Sequence, residues 1–228
     1  MSWVITGSEK TPVDRIGIQN VSLLLHGNGI NGSTTFTDSS PLPKIVTPLG
    51  NAQISTAVAD PFGNSAKGVI AFDGSSRISI PSASDSLLGT GDFTIELWLR
   101  PSLVNVAVFV DARVSSPSGS DVFALLTRSS GTCEIFPATS GGGSVSANTW
   151  YHIAMCRTAN FYRIFIDGTS VATGTNTTSI AAAAPLTFGA NTAGGNPFTG
   201  YMDEIRVTRN IARYSANFTR PTAPFPDI

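Results

Sequence analysis

The sequence predicts an all-β fold, a two-sheet antiparallel jelly-roll sandwich. The strongest observation is the segment Asp-Phe-Thr-Ile-Glu-Leu-Trp-Leu-Arg-Pro at residues 92–101, in which aliphatic or aromatic residues occupy every second position from 93 to 99. Successive side chains of a strand point to opposite faces, so one face of this segment is continuously apolar. That face carries Phe93, Ile95, Leu97 and Leu99. Such an apolar face must be buried, and in a β-rich chain the element large enough to bury it is a second sheet.

Two further observations point the same way. Strand-length apolar segments, separated by Ser, Gly and Pro clusters, recur about every ten residues from Val21 to Thr208, which is typical of a sandwich or jelly roll. No helical pattern of useful length and no internal repeat interrupts them. We therefore expect less than about 10% helix. At 228 residues we also expect one sandwich domain rather than two.

The chain divides into an arm and a domain. Residues 1–19 contain Gly7, Pro12 and Gly17 without sustained periodicity. They predict an N-terminal arm that lies on the sandwich edge or on a neighbouring subunit. Residues 20–228 predict the sandwich, whose last part is a Pro-rich C-terminal tail.

The strands follow from apolar runs and turn residues. Residues 69–72 and 77–80 flank an Asp-Gly pair that favours a tight hairpin. A second Asp-Gly pair at residues 167–168 belongs to a predicted three-strand meander over residues 150–173. The predicted core residues alternate with polar neighbours or lie on these strands. They are Phe93, Ile95, Leu97, Leu99, Ile153, Phe165, Ile205 and Val207.

Composition excludes two classes of partner. Charged residues make up 13% of the chain and the formal net charge is −1, so there is no electrostatic basis for binding nucleic acid or an anionic membrane. No apolar run approaches the roughly 18 residues that span a bilayer, so we expect no membrane insertion. The N-terminus lacks the basic flank and apolar core of a signal peptide. We expect the protein to stay in the cytoplasm where it is made, unless lysis or a non-classical route exports it.

The chain has two cysteines, Cys133 and Cys156. Free cysteines are among the most buried residue types, so we interpret both as buried thiols on strands. A disulfide is the alternative, which a reducing compartment disfavours.

The acidic residues do not form a catalytic pair. Retaining glycosidases on sandwich folds need two carboxylates about 5 Å apart on one face, which an even spacing along a strand provides. The candidate segment Met-Asp-Glu-Ile-Arg at residues 202–206 has adjacent carboxylates, which point to opposite faces. We therefore predict no enzyme activity. We expect a same-face ion pair between Glu204 and Arg206, and a turn or backbone-amide contact for Asp203.

Calcium is the one metal for which the sequence offers ligands. His26 and His152 are too few for a histidine cluster, and we interpret His152 as a hydrogen-bonded strand residue. Asp38, Asp60 and Asp203 lie in or near loops and carry the oxygen ligands that suit calcium. Ordinary capping of the loop backbone is the alternative. We expect no other cofactor.

Six motifs match one family in order and spacing. They are Phe-Asp-Gly at 72–74, Gly-Asp-Phe-Thr-Ile-Glu-Leu-Trp at 91–98, Thr-Trp-Tyr-His-Ile-Ala at 149–154, Phe-Ile-Asp-Gly at 165–168, Gly-Tyr-Met-Asp-Glu-Ile-Arg at 200–206 and Ala-Arg-Tyr at 212–214. Over roughly residues 21–225 the chain resembles the laminin-G/pentraxin-like branch of the concanavalin A-like lectin/glucanase superfamily. Pentraxins place a cysteine pair at positions similar to Glu96 and Ala154, and this chain departs from them there.

The resemblance implies a jelly roll with a concave front sheet, rim loops that in relatives often hold sugar or calcium, and usually no catalysis. The ending Ala-Arg-Tyr-Ser-Ala-Asn-Phe-Thr-Arg-Pro at residues 212–221 is similar to endings of decoration, fibre and baseplate proteins of tailed bacteriophages. It implies a non-catalytic structural protein located in the virion. Its arm would contact other virion proteins, the chain would form a homo-oligomer, and the lectin-like domain would bind host-surface glycan. The alternative is a free, extracellular carbohydrate-binding lectin outside any particle.

The candidate carbohydrate site lies on the second face of the central strand. Glu96, Trp98 and Arg100 share that face and combine an aromatic surface with a hydrogen-bond acceptor and a forked donor. The alternative is that the arm or a loop covers Trp98 and that Glu96 pairs with Arg100. In that case residues 191–196 and 36–40 are the predicted sites, because loops on a rigid sandwich commonly carry recognition.

Overall fold

Two antiparallel sheets make up the described part of the chain. The computed structural model describes residues 17–81, 88–113, 123–139, 141–180 and 185–227. These ranges contain fifteen strands and one short 3-10 helix, Ile18–Asn20, so the predicted all-β sandwich is confirmed. They contain no helix with the length and apolar character that crossing a bilayer requires. Residues 1–16 of the predicted arm lie outside the described residues, and the arm stays a prediction.

The strands are numbered in chain order. The larger, eight-stranded sheet has the spatial order β13 (Thr169–Thr175), β12 (Phe161–Ile166), β11 (Tyr151–Thr158), β6 (Phe93–Pro101), β15 (Thr199–Arg209), β4 (Val69–Asp73) and β3 (Gln53–Ser55), with β1 (Val21–Leu25) paired to the second half of β15. The smaller, seven-stranded sheet has the order β10 (Gly142–Ser144), β9 (Thr132–Phe136), β8 (Ala124–Thr127), β7 (Ala107–Asp111), β14 (Leu186–Phe188), β5 (Arg77–Ile80) and β2 (Thr47–Leu49). The predicted meander is confirmed as β11, β12 and β13.

The core lies between the sheets, with β6 at its centre. Leu97 of β6 lies opposite Ile153 of β11, and Ile95 lies opposite Val207 of β15. These two residues of the apolar face that the sequence predicts for β6 therefore lie opposite apolar residues of the two neighbouring strands. The cluster between the sheets contains seven of the eight predicted core residues, namely Phe93, Ile95, Leu97, Leu99, Ile153, Ile205 and Val207.

Phe165 is the exception. It is fully buried, but it packs with Cys156 and Tyr214 in a separate cluster on the outer face of the larger sheet. Its neighbours Ile164 and Ile166 make the core contacts instead. The prediction is wrong for Phe165 because both faces of β12 are apolar, and alternation alone does not say which face points inwards.

The predicted hairpin between residues 69–72 and 77–80 is also wrong. β4 belongs to the larger sheet, where it pairs with β15 and β3, whereas β5 belongs to the smaller sheet and pairs with β14 and β2. The turn between them crosses from one sheet to the other. Its Ser76 is fully buried, and the hydroxyl accepts the Asp73 N–H at 3.1 Å. An Asp-Gly turn reverses the chain locally without deciding which strands pair.

The C-terminal segment, residues 211–227, packs over the outer face of the larger sheet. Tyr214 is buried, and the ring of Phe218 stacks on it with centroids 3.6 Å apart. The Phe218 N–H donates to the Gly168 carbonyl at 2.9 Å. Gly168 has φ +81°, and a Cβ atom there would clash with the Phe218 backbone. The predicted Asp-Gly turn thus also makes room for the segment.

Candidate functional site

The outer face of the larger sheet has a covered half and an open half. In the covered half the C-terminal segment lies over polar side chains of β6, β11 and β15. Glu96 is fully buried there, and its Oε1 pairs with Arg206, whose Nε and Nη2 each lie at 2.8 Å. Its Oε2 accepts the hydroxyl hydrogen of Tyr214 at 2.9 Å. An ion pair of the sheet is therefore sealed by an aromatic side chain of the segment.

Neighbouring charges determine the protonation state of Glu96. Burial alone favours the neutral acid, but the charge of Arg206 favours the carboxylate, as do His152 and Arg213. The net result is a pKa of about 2 for Glu96, below its ordinary value. Glu96 therefore stays ionised and paired at neutral pH.

Trp98 lies beside Glu96 under the same cover. Phe62 and His152 contact the ring edge-on, each with centroids 5.5 Å away, and the Arg220 guanidinium lies 5.3 Å from the ring centroid. The Nε2 of His152 is 3.3 Å from Glu96 Oε2, an ion-pair distance without the geometry of a hydrogen bond. The hydrogen bonding predicted for His152 is confirmed for its backbone N–H and not for its ring.

Two of the three residues predicted to bind carbohydrate are closed to solvent. Glu96 and Trp98 are buried, while Arg100 is half-exposed. The expectation of an open platform is wrong in this respect, because a loop and the Arg220 part of the C-terminal segment cover Trp98. The alternative prediction, that the arm or a loop covers Trp98, agrees with the structure for the loop. Its second part, an ion pair between Glu96 and Arg100, is wrong, because Glu96 pairs with Arg206. A role of the three residues in sugar binding stays a prediction.

The open half carries a strip of four residues, one on each of four neighbouring strands. Arg100 of β6 lies opposite Tyr201 of β15, Tyr201 opposite Ala71 of β4, and Ala71 opposite Gln53 of β3. Gln53 is exposed and the other three are half-exposed. The Arg100 guanidinium carbon is 5.7 Å from the centroid of the Tyr201 ring. These four residues are termed the open strip.

Trp150 extends the open strip by one strand. It directly precedes β11, and the register that pairs Tyr151 with Leu99 places it beside Arg100. Its indole N–H donates to the Ala59 carbonyl at 3.1 Å. This bond holds the half-exposed ring against the loop between β3 and β4.

The open strip has the chemical groups that a sugar requires. Ala71, which has a small side chain, lies between Tyr201 and Gln53 in the strand register. An aromatic ring stacks on the C–H face of a sugar, the guanidinium of Arg100 donates to hydroxyl oxygens, and the Gln53 amide both donates and accepts. Sequence reasoning found Arg100 and missed the other three, because they come together only through the register of four strands.

A comparison with family models assigns the chain. The laminin G model of the concanavalin A-like lectin/glucanases superfamily matches residues 72–212. The chain belongs to this family. The resemblance inferred from the six motifs is thereby confirmed. A comparison with curated protein sequences gave no match.

Several solved structures share the fold of this laminin G-like domain. The binding domain of Paraclostridial Mosquitocidal Protein 1 has a TM-score of 0.62 at 15% identity, over 86% of this chain and 50% of that one. Domain 4 of AbnA, a GH43 extracellular arabinanase from Geobacillus stearothermophilus in complex with arabinotriose, has a TM-score of 0.57 at 18% identity, over 83% and 92%. The binding domain of botulinum neurotoxin DC in complex with SialylT has a TM-score of 0.59 at 12% identity, over 88% and 50%. The chain thus spans about half the length of these toxin binding domains, and the likeness at such identities is one of fold.

Glu204 fixes the end of the C-terminal segment on this laminin G-like domain. Its Oε1 is 2.7 Å from His26 Nδ1, and its Oε2 accepts the Phe225 N–H at 2.6 Å. Asp227 Oδ1 lies 3.3 Å from the other ring nitrogen of His26. Burial lowers the pKa of His26, but the contacts with Glu204 outweigh it and the net pKa is raised. Glu204 therefore contacts His26 and the Phe225 N–H, whereas Arg206 pairs with Glu96. These partners differ from the ion pair between Glu204 and Arg206 that the sequence predicts.

Asp203 anchors backbone amides, as predicted. Its Oδ1 accepts the N–H of Gly27 at 2.7 Å and that of Glu204 at 2.8 Å. Burial, together with the negative charges of Glu204 and Asp60, raises the pKa of Asp203 to about 7. The carboxyl group therefore titrates near neutral pH.

We expect the stability of the domain to fall as the pH rises from about 4 to about 7, because of Asp203. Its folded pKa of about 7 lies above the ordinary 3.8, so folding favours the protonated acid. That contribution is complete below the ordinary pKa and is lost as the pH rises through the folded one. A shift of about three pKa units limits the loss to about 4 kcal/mol. Urea unfolding at acidic and at mildly alkaline pH measures it.

The control for this pH dependence is Asp203→Asn, which keeps the acceptor oxygen and cannot ionise. Its free energy of unfolding should change less over the same pH range than that of the wild type. His26, whose pKa is also raised, adds a loss of the same sign at higher pH in both proteins. An equal change in wild type and variant would show that Asp203 does not titrate with folding.

The loop aspartates considered for calcium cap the backbone. Asp38 accepts hydrogen bonds from three backbone N–H groups and one hydroxyl, and Asp60 accepts two from the backbone of its own loop. In the part of the chain that the structure describes, no three His, Cys, Asp or Glu side chains come together as a metal site. Capping, the alternative interpretation, accounts for these hydrogen bonds, and calcium stays a prediction.

The two rim loops offered as alternative sites are occupied by internal contacts. In residues 36–40 three side chains are buried. In residues 191–196 Asn191 is buried, its N–H donates to the Gly195 carbonyl at 3.0 Å, and its Oδ1 accepts the Gly195 N–H at 2.7 Å. Ala193, Gly195 and Asn196 of this second loop are nevertheless exposed, so residues 191–196 stay a predicted alternative to the open strip.

Both cysteines are free and buried, as predicted. Cys133 lies in the core between the sheets, whereas Cys156 lies on the outer face of the larger sheet. Burial raises the pKa of each thiol to about 12. The two thiols are therefore structural and unreactive at neutral pH.

Proposed function

We propose that this protein is a non-catalytic carbohydrate-binding domain and that it binds sugar at the open strip. The observation that carries the proposal is the half-exposed pair of Tyr201 and Arg100 on the outer sheet face, in register with Ala71 and Gln53. Sugars need this combination, because their C–H faces stack on rings while their hydroxyl groups both donate and accept. Strands hold the four side chains more rigidly than a loop would, which favours a preformed site.

The shared fold supports a sugar ligand. Domain 4 of the arabinanase AbnA, 92% of which is covered by the match, was solved with arabinotriose. The binding domain of botulinum neurotoxin DC was solved with SialylT. Those ligands belong to those proteins, and a comparable sugar-binding role is proposed for this chain on the common architecture.

The carboxylates support a role without catalysis. A glycosidase needs two carboxyl groups that face the substrate. Glu96, Asp203 and Glu204 are buried and are held by Arg206, by backbone N–H groups and by His26 respectively. Their hydrogen bonds are those of a scaffold.

We propose further that the domain serves in a virion as a decoration, fibre or baseplate component. It would attach to other virion proteins through its N-terminal arm, assemble as a homo-oligomer and present the open strip to host-surface glycan. The phage-like ending at residues 212–221 supports this role. Mass spectrometry of particles purified from the source culture should find the chain in stoichiometric amount. Recovery from the particle-free medium alone would favour the alternative, a free extracellular lectin.

Replacing Tyr201 by alanine is expected to weaken sugar binding about tenfold, because the stacking surface is lost. The melting temperature should change little, since the ring is half-exposed. A glycan array identifies the best ligand, and isothermal titration with that ligand measures the loss.

The matched control is Phe161→Ala. Phe161 is also half-exposed on the outer face of the larger sheet, and the Arg163 guanidinium carbon lies 4.3 Å from its ring centroid. Because this pair is on β12, two strands from β6, its removal should leave the affinity unchanged. Equal losses in both variants, or full binding by Tyr201→Ala, would contradict the assignment of the open strip.

A further inference from the structure

The covered half of the outer face contains polar atoms that no protein group satisfies. The indole N–H of Trp98 and the Nδ1 of His152 are buried without a hydrogen-bond partner among the described residues, and the Nε2 of His152 has only the 3.3 Å ion-pair contact with Glu96. The two rings are directly opposite each other on β6 and β11, with centroids 5.5 Å apart. Buried polar groups are normally paired, and an unpaired one costs free energy. Two such atoms on two adjacent rings indicate a site whose partner is a ligand.

This pair of rings borders the open strip. Trp98 and Arg100 are two residues apart on the same face of β6, which separates them by about 7 Å along the strand. Phe62 packs edge-on against Trp98 and forms an apolar wall. A chain of linked sugar rings that lies along β6 can therefore contact Arg100 and Trp98 together.

Arg220 closes the Trp98 ring from the solvent side. Its guanidinium carbon is 5.3 Å from the ring centroid, and its Nη1 is 3.0 Å from Asp167 Oδ1. The Arg220 side chain is 48% exposed, and so exposed an ion pair contributes little to holding the chain in place. The guanidinium thus occupies the stacking position that a sugar ring would take, without being firmly fixed there.

The chain around Arg220 can lift while its anchors stay. Four of the six residues 219–224 are exposed, and within the described part of the chain these six make no backbone–backbone hydrogen bond. Phe218 on one side donates its N–H to Gly168 at 2.9 Å, and Phe225 on the other donates its N–H to Glu204 at 2.6 Å. A short exposed stretch with few contacts between firm anchors opens locally without unfolding the sheet.

We propose that Trp98 and His152 form a second subsite for a neutral oligosaccharide and that residues 219–224 are its lid. The proposal rests on the proposed function of the open strip and extends it. With the lid raised, the indole ring stacks on the C–H face of a second sugar ring. A hydroxyl group of that ring then satisfies the indole N–H of Trp98, and a second one reaches His152 between the rings of Phe218 and Phe225, which contact the imidazole edge-on. Glu96 remains a wall of the subsite, because Arg206 and Tyr214 hold its carboxylate.

The lid makes affinity depend on ligand length. A monosaccharide occupies the open strip and does not displace the lid. A trisaccharide that reaches Trp98 binds in full only to open molecules, so its apparent affinity falls by the fraction of molecules that are open. Removing the Arg220 side chain raises that fraction.

Isothermal titration of wild type and Arg220→Ala tests the lid, with arabinotriose, xylotriose and maltotriose each measured beside its monosaccharide. For the trisaccharide that binds, we expect Arg220→Ala to raise the affinity about tenfold, as for a lid that is closed in about nine molecules of ten. No gain is expected for the monosaccharide. Adding Trp98→Phe, which keeps a ring and removes the indole N–H, should abolish the gain. The trisaccharide should also shift the Trp98 indole N–H signal in a nitrogen-15 NMR spectrum.

The matched control is Arg163→Ala, which removes a guanidinium stacked on Phe161 and should change neither affinity. An unchanged ratio of trisaccharide to monosaccharide affinity in Arg220→Ala would overturn the lid and the second subsite. Lost binding in Tyr201→Ala would still support the open strip in that case. Absence of binding to every probe by wild type and Arg220→Ala would overturn the open strip and the subsite together.

Discussion

Replacing Leu97 by alanine is expected to lower the free energy of unfolding by about 2 to 5 kcal/mol. Leu97 is fully buried in the row of β6 that faces the smaller sheet. Because β6 is held on one edge by β11 and on the other by β15, the backbone cannot move in to fill the cavity. Urea denaturation followed by circular dichroism gives the difference in stability.

The matched control is Leu42→Ala, which removes the same atoms from a loop residue that is 65% exposed. We expect it to change the stability by less than about 0.5 kcal/mol. A loss as small as this for Leu97→Ala as well would place Leu97 on the surface, and the register of the central strand would then be wrong.

The burial of Leu97 could be predicted because a single strand carries the whole signal. Alternation within residues 92–101 tells which side chains share a face, and the continuous apolar face must be the one that is covered. The same logic fails for Phe165, since on β12 both faces are apolar. The inward face of β12 is fixed by the tail that lies over Phe165, which no pattern within the strand reveals.

Pairing between distant strands could not be predicted in the same way. The turn after β4 looks like a hairpin turn because its residues favour a chain reversal. Which sheet the next strand joins depends instead on the partners that its core-facing side chains meet. Ile70 of β4 and Ile78 of β5 both face the core, and they do so from opposite sheets.

The candidate site was predictable only in part, for a related reason. Trp98 and Arg100 were correctly placed on one face, because both belong to β6. Tyr201 lies next to Arg100 through the register of β15, a hundred residues away in the chain, and the cover over Trp98 comes from Arg220. The sequence predicts only a Pro-rich tail here, because its prolines exclude a regular helix or strand and nothing in the sequence shows that its aromatic side chains pack on the sheet.

Replacing Glu96 by alanine is expected to lower the free energy of unfolding by about 3 to 5 kcal/mol, as for breaking other buried ion pairs. The guanidinium of Arg206 is only 4% exposed and would lose its pairing with this carboxylate. Its contact with the Phe225 ring, 3.7 Å from the centroid, does not replace a negative charge. The Tyr214 hydroxyl loses its acceptor as well, so the C-terminal segment should loosen with the pair. Chemical denaturation measures the loss, and limited proteolysis of the segment reports the loosening.

The double variant Glu96→Leu with Arg206→Met distinguishes two causes of lost stability. One is the burial of the Arg206 charge without the Glu96 carboxylate, and the other is the loss of the Glu96 side chain itself. The double variant removes both charges of the pair, so it should be more stable than Glu96→Ala alone, because the Arg206 guanidinium no longer stays buried without the Glu96 carboxylate. Tyr214→Phe removes one hydrogen-bond donor and should cost only about 1 kcal/mol. Since the pKa of Glu96 is lowered to about 2, the contribution of the pair should be complete at neutral pH, decrease below the ordinary value of 4.5 and be lost as the pH falls through about 2. A loss below about 1 kcal/mol in Glu96→Ala would mean that water reaches Arg206, and that the C-terminal segment does not seal this half of the face.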